Sequence, residues 1–514
     1  MVAGPDTRAM LARTRSATVF GIEADDVFVE VDVAPGLPSF TTVGLPDPAV
    51  RESRDRVRAA IRNAGLEFPI DRITVNLAPA EVRKVGTGFD LPMALGILSA
   101  TGILKPGRAD DTVALGELSL DGRIQPVRGV LPVALHCRRR GVPRLLVPAG
   151  NAEEAAVVSG VTVIPLGTLH DALEYLNGER DISPYRSGAA GWSADLDTDG
   201  LDLADVRGHV WAKRALEIAA AGGHNLLMLG PPGAGKTMLA RRLGSILPPL
   251  ALEEAIEITA VWSVAGLLSA GHGLVRERPF RAPHHTTSAP GLIGGGSVPH
   301  PGEASLAHLG VLFLDELPEF SARVLESLRQ PLEDGSVVVS RAAGSAAFPA
   351  RFQLVGAANY CRRGCVSLDA CVCTPGERQQ YLSRLSRPLL DRIDLHLEVR
   401  AVPYAELSGG GGESSRTIRS RVEMARRRQS ERLAGSGARV NARMSGRQVR
   451  QFCAPPPEAT ALLQQAVSRL GLSARGHDRV LKVARTIADL AGCERIVAEH
   501  VSEAVQYRGL DRCL

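Results

Sequence analysis

The sequence predicts an α/β protein in three parts, and three observations carry that prediction. In residues 1–180, strand-like apolar runs alternate with helical ones, which is the pattern of an α/β domain. In residues 205–405, a glycine-rich loop stands between a short apolar strand and a helix, and further short strands follow it. In residues 413–514, apolar residues recur at helical spacing, which predicts a helical domain. The stretch 181–204 between the first two parts is rich in Ser, Gly, Pro and Asp, which is typical of a linker.

The elements of the first part follow from periodicity. Apolar and β-branched runs of five to seven residues predict strands, and longer runs with apolar residues three to four apart predict helices. The predicted strands are Val27–Val33, Ile73–Leu77 and Arg144–Pro148, and the predicted helices are Val50–Ala64, Leu91–Thr101 and Val130–Arg140.

The charge of the chain is nearly balanced. Sixty Lys and Arg against 56 Asp and Glu give a net charge of +4 over 514 residues, which is too small to indicate nucleic acid by itself. Residues 416–450, however, contain eleven Arg and no Lys, so this basic block is either a phosphate-contact surface or a solvated helix face.

Hydropathy and cysteine usage bear on location. No window of ~20 apolar residues occurs, so we expect no membrane span, and the N-terminus lacks the apolar core of a secretory signal. The eight cysteines do not resemble a secreted disulfide framework, because four of them are crowded into 361–373. We therefore expect a cytoplasmic protein without a membrane partner.

A phosphate-binding loop is the strongest chemical signal. The run Asn225–Leu229 predicts a buried strand, and a helical stretch, Met238–Leu247, follows the loop. Glycines let backbone N–H groups curl around phosphates, and the helix N-terminus adds its positive dipole. We expect Lys236 to neutralise the β- and γ-phosphates of ATP and Thr237 to ligate Mg²⁺. The loop consists of Gly230, Pro231, Pro232, Gly233, Ala234, Gly235, Lys236 and Thr237.

Two further strands should deliver polar groups beside this loop. The strand Val311–Leu314 ends in Asp315 and Glu316, which suits Asp315 for holding Mg²⁺ through water and Glu316 for polarising the attacking water. The strand Gln353–Val355 leads to Asn359, which is suited either to contact the γ-phosphate and position the water or simply to form a turn.

Four cysteines follow Asn359 at the spacing C-x3-C-x5-C-x-C. Cys361, Cys365, Cys371 and Cys373 within thirteen residues favour a tetrahedral structural Zn²⁺ over disulfides in a reducing compartment. Four free thiols remain the alternative.

Four stretches resemble the Mg-chelatase-like AAA+ ATPases of the YifB/ComM family: GHNLLMLGPPGAGKT, RAPHHTTSAPGLIGGGS, HLGVLFLDELPEF and YLSRLSRPLLDRIDLHLEV. The resemblance implies a AAA+ P-loop NTPase core with a C-terminal helical lid. It implies that Asn359 is the sensor-1 residue, that Arg392 is the arginine finger that reaches a neighbour's ATP, and that Arg475 is the sensor-2 arginine. Arg387, one turn earlier, is the nearest rival for the finger. A finger supplied in trans requires a ring, so we expect a homo-hexamer.

The same resemblance assigns two loops to the pore of that ring. The stretch 281–302, with His284 and His285, matches the helix-2 insert, and no acid or Cys at ligand spacing supports a metal site there. The stretch 337–352 predicts a hairpin, and Arg341 near its tip is our candidate for a DNA phosphate contact, with an ordinary surface arginine as the alternative. In the family's usual cysteine pattern, fewer residues separate the first two cysteines than separate Cys361 from Cys365 in this chain.

Residues 1–180 resemble the proteolytic domain of Lon. The family's Ser nucleophile falls on Gly88 and its Lys base on Leu131, so neither position can act, and the nearby Lys84 and Ser119 do not replace them. We therefore expect a Lon-protease-like but non-catalytic domain.

The resemblance implies an ATP-driven DNA translocase or helicase that promotes branch migration of recombination intermediates on branched or single-stranded DNA, including those of natural transformation. One alternative is a chelatase motor that remodels a protein partner, and the Lon-like domain argues against it. A second alternative is a protease-like unfoldase, which the loss of Ser and Lys disfavours.

Overall fold

The computed structural model describes residues 10–187, 200–268, 273–341, 344–365, 371–403, 406 and 411–509. Residues 188–199 of the expected linker lie outside the described residues. The described chain forms an α/β domain, a second α/β domain and a helical C-terminal domain, which is the fold class predicted from the sequence. Among these residues, none of the helices combines the length and apolar character needed to cross a membrane.

The N-terminal domain is a mixed sheet flanked by helices. Its elements are β1 (Met10–Phe20), β2 (Glu23–Ala34), β3 (Ser39–Val43), α1 (Pro48–Asn63), β4 (Arg72–Ala78), α2 (Asp90–Ala100), β5 (Thr112–Ala114), β6 (Glu117–Leu118), β7 (Ile124–Gln125), α3 (Val130–Arg140), β8 (Arg144–Pro148), α4 (Ala152–Ala156), β9 (Thr162–Leu166) and α5 (Leu169–Asn177). Seven strands pair in the order β3-β4-β2-β1-β5-β8-β9, and β6 and β7 form a hairpin. The three strands and three helices predicted for this domain are confirmed to within a few residues, whereas the sequence did not predict β1.

The second domain is built on a parallel sheet. Its elements are α6 (Val210–Gly222), β10 (Leu226–Leu229), α7 (Lys236–Ile246), α8 (Leu252–Ala265), β11 (Phe280–Arg281), α9 (Ala289–Ile293), α10 (Glu303–Leu306), β12 (Val311–Leu314), α11 (Ala322–Ser327), α12 (Arg329–Asp334), β13 (Ser336–Arg341), β14 (Gly344–Pro349), β15 (Gln353–Ala358), α13 (Pro375–Leu382), α14 (Arg387–Leu390) and β16 (Leu395–Glu398). The sheet order is β11-β12-β15-β10-β16, all parallel, with β13 and β14 as a separate hairpin. Strands β10, β12 and β15 are buried along their whole length, as expected of parallel strands covered by helices on both faces.

The C-terminal domain consists of α15 (Ser415–Arg432), α16 (Gly446–Phe452), α17 (Pro457–Leu470), α18 (Ala474–Leu490) and α19 (Ala498–Gln506). Its apolar side chains continue the core of the second domain without a break. Trp211 of α6 stacks on Tyr507 with ring centroids 4.8 Å apart, which joins the two domains at the end of the chain.

The arginines of the basic block 416–450 divide into two groups, because five of the eleven are half-buried and six are exposed. Arg421 pairs with Glu217 and Glu413, and Arg426 donates to the carbonyl of Ala220. Three further arginines of the block also bind acids or carbonyls: Arg428 and Arg432 contact Asp489, and Arg443 donates to the carbonyl of Leu332. Arg421, Arg426 and Arg443 thus fasten the C-terminal domain to the second domain. Arg428 and Arg432 instead join α15 to α18 within the C-terminal domain.

The N-terminal domain touches both loops that were assigned to the pore. The Phe20 ring at the β1–β2 turn lies against Gly344 of the β13–β14 hairpin, where an added Cβ would meet the ring at 2.8 Å. A cavity of about 370 Å³ is lined by Gly88 on one side and by Val298, Pro299 and His300 of the insert on the other.

A candidate nucleotide site at the carboxyl edge of the parallel sheet

The glycine-rich loop leaves the carboxyl end of β10 and enters α7, as the sequence predicts. Gly230 must be glycine, because a Cβ there would lie 2.0 Å from the carbonyl oxygen of Val399 on the neighbouring strand segment. Gly233 and Gly235 have φ of +77° and +85°, a left-handed backbone that costs glycine little. The remaining loop residues, Pro231, Pro232 and Ala234, complete the connection from strand to helix.

Lys236 lies at the centre of the site. Its Nζ donates to the carbonyl oxygens of Gly230 and Pro231 at 2.7 and 2.8 Å and to Oδ1 of Asn359 at 3.0 Å. Burial lowers the pKa of the ammonium, and the negative charges of Asp315 and Glu316 oppose that shift. The ammonium is thus held where phosphates would lie, by acceptors that phosphate oxygens can replace.

Asp315 and Glu316 follow β12, the strand separated from β10 by β15 alone. Oδ2 of Asp315 accepts a hydrogen bond from Thr237 Oγ1 at 2.7 Å. This pair fits Mg²⁺, which takes oxygen ligands and is held in such sites by one or two protein oxygens together with phosphates and water. Glu316 has a φ of +51°, unusual for a residue with a side chain, and that backbone leaves its carboxylate half-exposed.

Asn359 follows β15 between these two strands, so the structure brings together Lys236, Thr237, Asp315, Glu316 and Asn359. Its side chain contacts Lys236 at the glycine-rich loop, which supports a place for Asn359 in the candidate site.

The two arginines lie at the opposite edge of the same sheet. Arg392 precedes β16, and its carbonyl oxygen accepts from Asn225 at the amino end of β10. Strand β10 has four residues. At ~3.3 Å per residue, Arg392 is therefore ~13 Å along the sheet from the start of the loop.

Arg392 is only 4% exposed, and its guanidinium binds Glu333 and the carbonyl of Pro388. In this conformation it is not presented at the surface as a finger, whereas Arg387 is exposed. Arg475 lies 3.5 Å from the same Glu333 carboxylate, and Arg392 holds the pKa of Glu333 below its ordinary value. One acid thus holds both arginines at this edge.

The four cysteines converge. Their Sγ atoms all lie within 4.8 Å of one another. A tetrahedral Zn²⁺ with Zn–S bonds of about 2.3 Å would require S–S separations of about 3.8 Å, so the cluster fits the ion with small adjustments. Burial disfavours the thiolate of Cys361, but the backbone N–H of Cys365 and the neighbouring thiols lower its pKa to about 7. Residues 366–370 lie outside the described residues.

Arg341 is exposed at the end of β13, and its Nη1 donates to the carbonyl of Ser340 at 2.8 Å. A Cβ added at Gly295 would meet Nη2 of Arg341 at 3.4 Å, so the hairpin and the helix-2 insert are adjacent.

Two residues near the site were not assigned to it from the sequence. His285 Nδ1 lies 3.4 Å from Oε2 of Glu316, because the loop after β11 runs beside the end of β12. A Cβ at Gly235 would meet Nε2 of His209 at 3.5 Å, so that ring lies against the glycine-rich loop. A pair of histidines in a loop carries no spacing signal, and only the sheet order reveals the contact with Glu316.

Positions 88 and 131 contain no nucleophile or base in the N-terminal domain. Gly88 lines the cavity at the domain boundary, and the buried Leu131 donates its N–H to Glu154 Oε1 at 2.9 Å. Lys84 is buried and donates to the carbonyl of Pro79, and Ser119 lies in the β6–β7 turn.

Three family models match successive parts of the chain. "Subunit ChlI of Mg-chelatase" matches residues 29–151, "Magnesium chelatase, subunit ChlI" matches 202–407, and "Magnesium chelatase, subunit ChlI C-terminal" matches 412–508. Together they cover all three domains.

Relatives match over nearly the full length. "Competence protein ComM" of Haemophilus influenzae is 44% identical over 510 residues, 98% of each chain. "Uncharacterized protein YifB" of Escherichia coli is 43% identical over 507 residues, again 98% of each chain. The Lon protease of Chloroflexus aurantiacus is 31% identical over 165 residues, which are 30% of this chain and 20% of that protease. The chain therefore belongs to the Mg-chelatase-like YifB/ComM family of AAA+ ATPases, with a Lon-protease-like N-terminal domain.

Proposed function

We propose that this protein is an ATP-driven ring motor that translocates DNA and promotes branch migration of recombination intermediates. The proposal of a ring rests on the placement of Lys236 and Arg392 at opposite edges of one sheet. The backbone of Arg392 lies ~13 Å along the sheet from the loop of its own chain, at ~3.3 Å per strand residue, which supports a role for this arginine at a nucleotide bound by another subunit.

Within one subunit, the loop would bind the phosphates of ATP through its backbone N–H groups and Lys236. Thr237 and Asp315 would hold Mg²⁺, which supplies charge neutralisation across the β- and γ-phosphates. Glu316 would accept a proton from the attacking water, and Asn359 would orient that water or the γ-phosphate.

Across the interface, Arg392 would reach the neighbour's γ-phosphate. It must first leave Glu333, so we propose that assembly replaces that carboxylate by the more highly charged phosphate. Arg475 contacts the same carboxylate of Glu333. This contact supports a role for Arg475 at the neighbour's nucleotide, and not at the nucleotide of its own subunit. Six subunits are the number that the family resemblance implies.

DNA as the substrate rests on the family and on the arrangement of the loops. One relative of 44% identity carries the name "Competence protein", and natural competence is the uptake of DNA. Arg341 and the helix-2 insert are neighbours, so both would meet a strand in the pore together. The N-terminal domain, with Gly88 and Leu131 at the former catalytic positions, would be a non-catalytic platform.

One comparison tests the proposal against a chelatase motor and an unfoldase. ATP hydrolysis and strand exchange are measured with the purified full chain, with and without a four-way DNA junction. We expect the junction to bind, to raise the ATPase rate and to be resolved into duplexes in an ATP-dependent manner. Stimulation by an unfolded protein and not by DNA would favour the unfoldase, and DNA that neither binds nor stimulates refutes the translocase.

Arg341→Ala is the matched test of the DNA contact. The variant should weaken binding uniformly across sequences and reduce the salt dependence by about one phosphate contact. Arg323→Ala serves as a control, since Arg323 is another exposed arginine of the same domain but lies outside the hairpin. Equal effects of the two substitutions would remove Arg341 from the DNA surface.

A further inference from the structure

The four-cysteine cluster lies directly beside the nucleotide loop, and two connections join them. Asn359 precedes Cys361 by two residues, and its Oδ1 accepts from Lys236 at 3.0 Å. In the turn between Cys361 and Cys365, a Cβ added at Gly364 would lie 2.8 Å from Cγ of Pro232. The turn therefore packs against the loop that would cradle the phosphates.

The residue between Asn359 and Cys361 anchors this arrangement. Tyr360 is 2% exposed, packs with Leu229 at the end of β10, and donates its hydroxyl to Glu398 Oε1 at 2.8 Å. The backbone that leads from β15 into the cluster is thus fixed on the sheet, and the turn that follows it faces Pro232.

We propose that Cys361, Cys365, Cys371 and Cys373 bind one structural Zn²⁺ and that this ion holds the P-loop in the shape that binds ATP, so that zinc and ATP bind cooperatively. The inference rests on the proposed ATP-binding function and adds a second ligand that controls the same site. Four sulfur atoms within 4.8 Å match the thiolate set of a closed structural zinc site. The N–H of Cys365 points at Sγ of Cys361 at 3.4 Å, the kind of outer hydrogen bond that stabilises a ligating thiolate.

Cooperativity follows from the chain connections. With the ion in place, the four cysteines are cross-linked and the turn at Gly364 packs against Pro232. Without the ion, the turn from Cys361 to Cys365 loses that cross-link, and ATP must order it again when it binds. Couplings of this kind are typically about 5- to 150-fold, and by linkage ATP must tighten zinc by the same factor as zinc tightens ATP.

The experiment measures both sides of this linkage on the full-length protein. Zinc per chain is determined by atomic emission, and the Kd for a fluorescent, non-hydrolysable ATP analogue is measured before and after zinc is stripped under reducing conditions. Zinc affinity is then measured against a zinc-selective chelator with and without the analogue. We expect about one zinc per chain and at least about a fivefold rise of the ATP Kd on stripping, matched by an equal change in zinc affinity.

Two variants separate the metal from the coupling, with Cys493→Ser as the control because Cys493 is exposed and far from the cluster in sequence. Cys371→Ser should lose zinc and weaken ATP binding. Gly364→Ala keeps all four thiols but forces the turn away from Pro232, so it should retain zinc and still weaken ATP binding. Thermal unfolding of the variant serves as the control for folding, and we expect a melting temperature close to that of the unmodified protein.

Three outcomes overturn the ideas separately. A protein that binds ATP with zinc well below one per chain refutes the metal site. Full zinc with an ATP Kd unchanged by stripping refutes the coupling. A zinc-loaded protein that fails to bind ATP refutes the proposed function and the coupling together, while the metal site stands.

Discussion

The position of Arg392 leads to a quantitative prediction for mixed rings. Arg392→Ala removes a guanidinium that lies at the amino edge of the sheet and is bound to Glu333. An arginine finger contributes about 10³–10⁵ in turnover, so the variant should hydrolyse ATP slower by a factor in that range while it binds ATP normally. Glu333 is 45% exposed, so its unpaired carboxylate can be hydrated and should cost little stability.

Mixing then tests whether the arginine acts in trans. Lys236→Ala subunits keep Arg392 but lack the ammonium that binds phosphate, and Arg392→Ala subunits have the reverse defect. In random 1:1 rings, about one quarter of the head-to-tail interfaces combine an intact loop with an intact finger. The steady-state ATPase rate of the mixture should therefore rise to about one quarter of the unmixed wild-type rate if interfaces work independently.

Arg387→Ala is the matched control, because Arg387 lies one turn earlier and is exposed. It should retain most activity and show no rescue pattern of its own. A mixture of the two defective proteins that stays at the sum of its components refutes the trans assignment of Arg392. Rescue that instead follows Arg387→Ala would transfer the role to that residue.

Three further predictions concern the site and its support. Glu316→Gln should keep ATP binding by calorimetry and lose about 10²–10⁴ in kcat, and near-normal turnover would remove Glu316 as the base. His285→Ala should lower kcat by about tenfold or more with little change in the KM for ATP, because its ring contacts Glu316 and not the loop, and a change confined to KM would contradict this. Burial alone would raise the pKa of the Asp394 carboxyl, but Arg479 and His224 hold that pKa far below its ordinary value. The ionised carboxylate therefore stabilises the folded protein above about pH 4, and this contribution is lost in more acidic solution. Asp394→Asn should therefore lower the free energy of unfolding in urea by about 3–5 kcal/mol at pH 7, with a difference that narrows towards pH 3, and equal stability of both proteins at pH 7 would contradict the argument.

Local sequence signals were sufficient for the nucleotide loop. The strand Val311–Leu314 has the predicted bounds, and Asp315 and Glu316 follow it as expected. Such signals work because a glycine loop between a strand and a helix, or an acid pair at a strand end, is determined by residues that are adjacent in the chain. The hydrogen bond that Lys236 donates to Asn359 follows from the parallel pairing of β10 and β15, because the glycine-rich loop and Asn359 leave the same ends of these neighbouring strands.

Strand β1 shows where hydropathy fails. Its inward side chains include Thr14 and Ser16, whose hydroxyls donate to the carbonyls of Pro92 and Ala114 at 2.9 Å. Small polar residues that satisfy their hydrogen bonds in the core give no apolar alternation, so nothing in this stretch predicts a strand before its pairing with β2 is known.

The arginines show a second limit. Arg392 is buried because Glu333 and Pro388 surround it, and Glu333 is 59 residues away in the chain. Composition gives the number of charges in the basic block but not their direction, so Arg426 and Arg443, which bind carbonyls inside the protein, could not be distinguished from surface residues.

The order of the strands explains why one sheet would serve two nucleotides. Strand β10 lies between β15 and β16, so the loop and Asn359 leave one edge of the sheet side by side, while Arg392 enters β16 from the other edge. The four residues of β10 form a rigid spacer between these edges, because they are buried and hydrogen-bonded on both sides. A rotation of one subunit against the next would consequently move its arginine relative to the neighbour's phosphate without disturbing its own loop. In the proposed ring, that separation would let subunit position control hydrolysis at each interface, which is the physical requirement for sequential hydrolysis around a ring.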